Sequence, residues 1–435
     1  MKKFMLITLG EELLLGLTRN GHLTYIGNRL RQRGVTLHSC YTISDKDEDI
    51  LEQFQFCWER ADALITTGGL GPTVDDRTKE TIANFLGEGL VFDPVAMEAI
   101  EERFARLGRA VSENNRKQAY RPETAETIRN DRGTAPGIWW EKNGKTLIML
   151  PGPPNELQPM FENQVLPRLE AMGFVDDAED YLQIKTIGIG ESQLEIDLQP
   201  IFEPYPDLEV AFCAHQGQVD CRIRFIDSEP RMDELLAIAN SCKQLLGEAF
   251  LGLGHDPVVA VVSKMLTARG QSLALAESCT GGFMANAFTN LSGASEFFKG
   301  GIVSYSNEAK RDLLGVPSEL IQRHTAVSEE VAIAMASGVA EKLESDFALS
   351  VTGYAGPCGG TTDNPVGTVY IGLHSPLGSW ATRYNWTTNR ETIKSRALNA
   401  ALDLLRRELL ATPFNEKSAN QDPSDESGGI LPSIS

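Results

Sequence analysis

A short apolar strand that breaks into a glycine-rich turn and restarts as a helix constrains this chain more than any other stretch. The run Ser272-Leu273-Ala274-Leu275-Ala276 leads into Glu277-Ser278-Cys279-Thr280-Gly281-Gly282, and a helix-like pattern over 283–288 leads out. Such a junction brings a hydroxyl, a thiol and backbone N–H groups to one point, where a helix start favours developing negative charge. The plainer account is a Ser/Thr cap followed by closely packed glycines. What surrounds the turn decides between them.

The first third of the chain repeats the strand-turn-helix theme. Strand-like 3–8, 35–42 and 63–67 alternate with helix-like 25–33 and 47–60, which predicts a parallel sheet covered by helices, with ligands at the carboxyl ends of its strands. The third strand runs into Gly68-Gly69-Leu70-Gly71-Pro72-Thr73-Val74-Asp75-Asp76. Gly68, Gly69 and Gly71 let the backbone and Thr73 approach a phosphate, and Asp75 and Asp76 offer hard oxygens to a divalent cation. No Gly-Lys-Ser/Thr follows, and the Gly-x-Gly-x-x-Gly spacing is absent. Asp76 as the cap of a helix over 77–85 is the alternative. Arg116 and Lys117 are candidate phosphate partners, or else solvated helix residues. Turn-rich stretches at 133–137 and 150–156 complete this region.

From about residue 170 the texture becomes that of a small α+β segment. It has a strand at 181–189, a helix at 191–201, a hairpin of 209–215 and 219–225 around Gln216-Gly217-Gln218, and a helix at 231–246. It carries no evident chemistry, so connection is its expected role. Residues 250–257 read as a linker. A third unit follows: helix 258–269, the opening motif, strand 300–307, helix 308–314 capped by Asn307, and helix 327–343 capped by Ser328. A strand at 346–351 then opens into Thr352-Gly353-Tyr354-Ala355-Gly356-Pro357-Cys358-Gly359-Gly360, followed by a strand pair at 366–373 and 380–386 and a helix at 390–410. The expected boundaries are 1–169, 170–250, 251–411 and a disordered tail, 412–435.

In the third unit Ser278 has company. Tyr305, Ser306 and Lys310 lie on a second strand–helix junction and Thr352 on a third, and three such junctions can face one pocket. A serine hydroxyl needs a base, and a lysine with a lowered pKa, or a tyrosine relaying to it, can serve. His324 and His374 are not placed to do so, which favours a Ser/Lys/Tyr hydrolase over a Ser-His-Asp one. Cys279 is the rival nucleophile, because a helix start lowers a thiol's pKa. Arg390, opening the last helix, is placed to hold a phosphate. The net charge of −20 disfavours generic binding to nucleic acid or to anionic membranes. No run of about 18 apolar residues predicts a membrane span. Seven cysteines without Cys-x-x-Cys spacing suit reduced thiols in a cytoplasm rather than disulfides or structural zinc.

Over residues 3–410 the chain resembles the CinA (competence/damage-inducible) family. Residues Glu277–Gly282, Tyr305-Ser306-Asn307-Glu308-Ala309-Lys310 and Pro365-Val366-Gly367-Thr368-Val369 resemble its C-terminal nicotinamide mononucleotide amidohydrolase domain. Residues 66–76, 115–119, 133–137 and 150–156 resemble its molybdopterin-binding-protein-like domain, and the middle segment its KH-like insert. The implied fold is α/β: a three-layer parallel-sheet domain, a small α+β insert and an α/β amidohydrolase domain. The implied reaction converts nicotinamide mononucleotide to nicotinate mononucleotide and ammonia, with no cofactor. Ser278 would be the nucleophile, activated by Tyr305 and Lys310. Thr280, Gly281 and Gly282 would serve the oxyanion, Ser295, Thr352, Gly353 and Gly356 would contact substrate, and Arg390 would hold the 5′-phosphate. The resemblance also implies a homodimer and a metal-dependent ADP-ribose pyrophosphatase in the N-terminal unit. Where relatives carry Asp-Thr-Asn this chain has Asn20-Gly21-His22, leaving Asp75 and Asp76 as the acids; Tyr354 and Cys358 stand where Ile and Gly are usual. The alternative to an enzyme is a nucleotide-binding scaffold for a protein partner.

Overall fold

The computed structural model describes residues 2–175, 181–215, 217–226 and 231–412, which fall into two compact units, Met1–Tyr181 and Leu182–Ser435. The tail expected from 412 onward, and Gln216 of the expected hairpin turn, lie outside the described residues, apart from Thr412.

In the first unit, strands β1 (Phe4–Leu9), β2 (Leu37–Ile43) and β3 (Ala63–Thr67) run parallel, and every residue of β1 and β3 is buried. Side chains alternate across a strand. Phe4 and Leu6 therefore pack with helix α1 (Gly21–Arg31) on one face, while Met5, Ile7 and Leu9 pack with α2 (Asp47–Arg60) and α3 (Thr78–Phe85) on the other. Three layers result. Strands β4 (Glu126–Ile128), β5 (Gly137–Lys142) and β6 (Lys145–Leu150) complete a sheet of order β2-β1-β3-β6-β5-β4. It is parallel as far as β6, as expected for the strands β1, β2 and β3, and antiparallel beyond. The cause is the Asn143-Gly144 turn, both of whose residues have positive φ (55° and 74°), the geometry that joins strands through two residues.

Helix α1 begins four residues before the expected position because Asn20 caps it. The Asn20 side chain accepts the N–H groups of His22 and Leu23 and donates to the hydroxyls of Thr8 and Thr42, at the ends of β1 and β2. His22 Nδ1 lies 2.8 Å from Thr67 Oγ1, and burial lowers the imidazole pKa. Asp76 does not cap α3; its carboxylate accepts from the Thr73 N–H (2.9 Å) and hydroxyl, closing the loop on itself.

The second unit opens with β7 (Leu182–Ile187), α4 (Glu191–Phe202), β8 (Leu208–His215), β9 (Gln218–Phe225), α5 (Met232–Leu246) and β10 (Phe250–Leu253). The antiparallel sheet β8-β9-β7-β10 packs its apolar face on α4 and α5 through Ile184, Leu194, Cys221 and Leu235. The expected linker at 250–257 thus begins as an edge strand. Gly252, read as a linker residue, instead sits at a register shift in the pairing of β10 with β7.

Next come α6 (Val258–Arg269), β11 (Leu273–Glu277), α7 (Phe283–Thr289), β12 (Phe298–Val303), α8 (Asn307–Leu314), α9 (Glu329–Leu343), β13 (Phe347–Gly353), β14 (Thr368–Ser375), β15 (Gly378–Asn385) and α10 (Arg390–Ala411). The sheet order is β12-β11-β13-β14-β15, and β11 runs parallel to both neighbours. Leu273 and Leu275 face α6 and α10; Ala274 and Ala276 face α9. Because β11 is flanked by parallel partners, its carboxyl end opens beside those of β12 and β13, and three junctions meet there. Helix α8 is capped by Ser306, whose hydroxyl accepts the Ala309 N–H at 3.1 Å, so Asn307 is its first residue rather than its cap. Ser328 caps α9 as expected. Among the described residues no helix is long and apolar enough to cross a membrane, and no cysteine is in a disulfide.

Candidate active site

The turn after β11 is built around a buried carboxylate. Glu277 accepts the N–H groups of Gly282 (2.9 Å), Met284 (3.1 Å) and Ala285 (2.8 Å), supplying from within the chain the negative charge that the start of α7 favours. The Gly281 N–H donates to the Ser278 carbonyl at 3.1 Å, and the Ser278 N–H to Val351 O at 2.9 Å. Gly281 and Gly282, expected to serve an oxyanion, are therefore committed to the turn. The N–H groups of Cys279 and Thr280 make no hydrogen bond to another described residue. Glu277 was missed at the sequence level, although a lone acid closing an apolar strand was its visible signal.

Lys310, on the first turns of α8, points back beneath this turn and is only 1% exposed. Its Nζ lies 3.0 Å from Ser278 Oγ and donates to the Ser304 carbonyl at 2.8 Å. Burial lowers its pKa below the ordinary lysine value, against a small opposing effect of Cys279. The Cys279 thiol is 6% exposed within the apolar core, and burial pushes it up to about 11, so it stays protonated near neutrality.

Ser278, Cys279, Tyr305, Lys310, Thr352, Gly353, Gly356 and Arg390 line one cavity of about 230 Å³. Thr352 donates its hydroxyl to Ala326 O at 2.7 Å. Gly356 has a φ of +78°, and a Cβ there would come within 2.7 Å of Val366 Cγ1, which keeps this loop tight over the site. Arg390, the exposed first residue of α10, donates through Nη1 to Gly356 O at 2.8 Å, leaving most of its donors to the cavity. Tyr305 is 64% exposed at the rim, and its hydroxyl makes no hydrogen bond to Ser278 or Lys310. Thr280, Gly281 and Gly282 do not line the cavity; nor does Ser295, which is exposed in the short turn Ala294–Glu296.

In the first unit, Gly68, Gly69, Gly71, Asp75 and Asp76 line a separate cavity of about 370 Å³ with Glu12, Asp45 and Glu156. Burial, then the charges of Glu12, Asp75 and Asp76, raise the pKa of Asp45; burial raises that of Glu156. Thr73, Arg116 and Lys117 are not among the lining residues. Lys117 Nζ instead donates to the carbonyls of Thr73 and Asp76 (3.1 Å for Asp76), and Arg116 lies over the Phe92 ring, 5.0 Å from its centre. Among the described residues no three His, Cys, Asp or Glu side chains are gathered as a ready-made metal site.

Three domain families match the chain: "Probable molybdopterin binding domain" over 5–171, "Damage-inducible protein CinA KH domain" over 183–252 and "CinA C-terminal domain" over 255–409. A protein of Clostridium botulinum assigned to the competence-damage inducible proteins is 39% identical over 94% of this chain and 100% of its own length. A CinA-like protein of Syntrophomonas wolfei is 40% identical over 94% of this chain and 99% of its own. The crystal structure of a competence damage-inducible protein A from Klebsiella pneumoniae is 37% identical over 35% of this chain and 95% of its own, with a TM-score of 0.35.

Proposed function

Because the chain belongs to the CinA family of competence-damage inducible proteins, we propose that its C-terminal site is a nicotinamide-nucleotide amidase that converts nicotinamide mononucleotide to nicotinate mononucleotide and ammonia. The observation that carries this reading is the buried Lys310 Nζ, 3.0 Å from Ser278 Oγ, in the cavity that Arg390 overlooks. With Lys310 neutral, Nζ keeps a lone pair for the Ser278 proton while an N–H holds Ser304 O. Ser278 Oγ attacks the carboxamide carbon, and the N–H group of Cys279, which lines the cavity, takes the oxyanion. Lys310 then returns the proton to the leaving nitrogen, ammonia departs, and an ester to Ser278 remains. Water, deprotonated by the same amine, releases the carboxylate product and restores Ser278. Arg390 holds the 5′-phosphate, as a planar cation with free donors can.

Replacing Lys310 with Met should cut ammonia release from nicotinamide mononucleotide by about 10²–10⁴-fold, the range for a positioned base. Undiminished release in Lys310→Met contradicts the role of the amine. A homodimer and a cytoplasmic location are part of this reading, and sedimentation of the intact protein tests the former.

A second reading, metal-dependent cleavage of ADP-ribose, rests on the acid-lined cavity of the first unit. The oxygens of Glu12, Asp45, Asp75 and Asp76 are the donors a hard divalent cation takes. They are too spread to enclose one alone, so substrate phosphate oxygens would complete the set. The bound cation would neutralise phosphate charge; the chain's own part is to hold the phosphates against Gly68 and Gly69. Metal-dependent ADP-ribose cleavage that is lost in Asp76→Ala tests it.

A further inference from the structure

Resting on the amidase reading, we infer that Tyr354 determines the substrate's charge state: its ring receives the cationic, N-ribosylated pyridinium ring and discriminates against the neutral, reduced dihydropyridine of the same nucleotide. Among the described residues the lining of the cavity includes two basic side chains, Lys310 and Arg390, and no carboxylate. The only carboxylate in the catalytic turn, Glu277, is buried and spent on three N–H groups. A permanently cationic ring entering this cavity therefore has no anionic partner, and the attraction left to it is an aromatic face.

Tyr354 is built into that position. Its N–H donates to Thr368 O at 2.8 Å and its carbonyl accepts the Gly367 N–H at 2.7 Å, which ties the residue to the start of β14. Gly359 (φ +97°) packs against the ring: a Cβ there would lie 3.3 Å from Tyr354 Cδ1, so the loop backs one side of the phenol. Tyr354 is half-buried and lines the same cavity as Ser278. Its hydroxyl makes no hydrogen bond to a described residue, so Tyr354→Phe separates what the aromatic face supplies from what the oxygen supplies. Burial disfavours the charged form of Lys310, which weakens the repulsion a second cation would otherwise meet.

The test uses the full-length Ser278→Ala protein, which binds without turnover, and compares nicotinamide mononucleotide with its 1,4-dihydro form by calorimetry. The cation should bind about 3- to 30-fold more tightly, the span of a cation–π contact converted to affinity. Adding Tyr354→Phe should keep that ratio, and adding Tyr354→Leu should bring it near one. Equal affinity for the two forms in the Ser278→Ala protein overturns the inference whether or not the leucine variant folds. So does a preference that survives in Tyr354→Leu. Failure of the amidase reading is read separately, as absence of ammonia release by the wild type.

Discussion

Lys310 carries its chemistry through burial. A lysine amine in water is protonated at neutral pH and cannot take a proton, but the apolar surroundings of α8 and β11 disfavour its charged form. Since the neutral amine is the active one, kcat/KM should rise with pH as Lys310 deprotonates and level off below pH 10.5, the ordinary lysine value. A pH–rate profile checks this, and an acid limb that persists unchanged in a weakly active Lys310→Arg variant would assign the titration to another group. At this scale the sequence was informative about position: Ser278, Lys310, Thr352 and Arg390, picked out at strand–helix junctions, line one cavity. It was uninformative about the direction of hydrogen bonds inside the turn. Neither periodicity nor motif says that Glu277 occupies the Gly282 N–H, or that Cys279 and Thr280 keep theirs. Nor does either show the burial that raises the pKa of the Cys279 thiol and lowers that of the Lys310 amine, on which the proposed choice of Ser278 rests.

Helix α8 holds Lys310 in place by packing against α9. Gly338 of α9 lies so close to the end of α8 that a Cβ there would overlap the Leu314 carbonyl oxygen. Gly338→Ala should push α8 outward and move Nζ away from Ser278, lowering ammonia release without altering a cavity residue. Overpacking of this kind also costs about 1–3 kcal/mol of stability, readable from urea unfolding. Wild-type activity and stability in that variant would show that the contact relaxes freely. Elements were legible where one apolar pattern dominated, as in α2, α6 and β3, whose bounds match expectation. They were less so where a single polar side chain sets the end: Asn20 starts α1 early and Ser306 rather than Asn307 caps α8. The Asn143-Gly144 hairpin had a plain turn signal that went unread, and Gly252 disguised a strand as a linker.

At the scale of the whole molecule, two candidate sites lie in two compact units, each at the carboxyl ends of parallel strands and each with its own electrostatics. Among the described residues one is lined by carboxylates and the other by Lys310 and Arg390 with no carboxylate, in a chain whose net charge is −20. The two activities should therefore separate. Ser278→Ala should leave metal-dependent ADP-ribose cleavage intact, and Asp76→Ala should leave ammonia release intact, as parallel assays of both variants would read. Joint loss in either variant would mean that the units do not function independently. The account as a whole stands on Ser278 as nucleophile in the intact chain, and ammonia release from nicotinamide mononucleotide by wild type, Ser278→Ala and Cys279→Ala measures it most directly. Ser278→Ala should fall by about 10³-fold or more while Cys279→Ala remains active; activity that survives in Ser278→Ala and disappears in Cys279→Ala would contradict it.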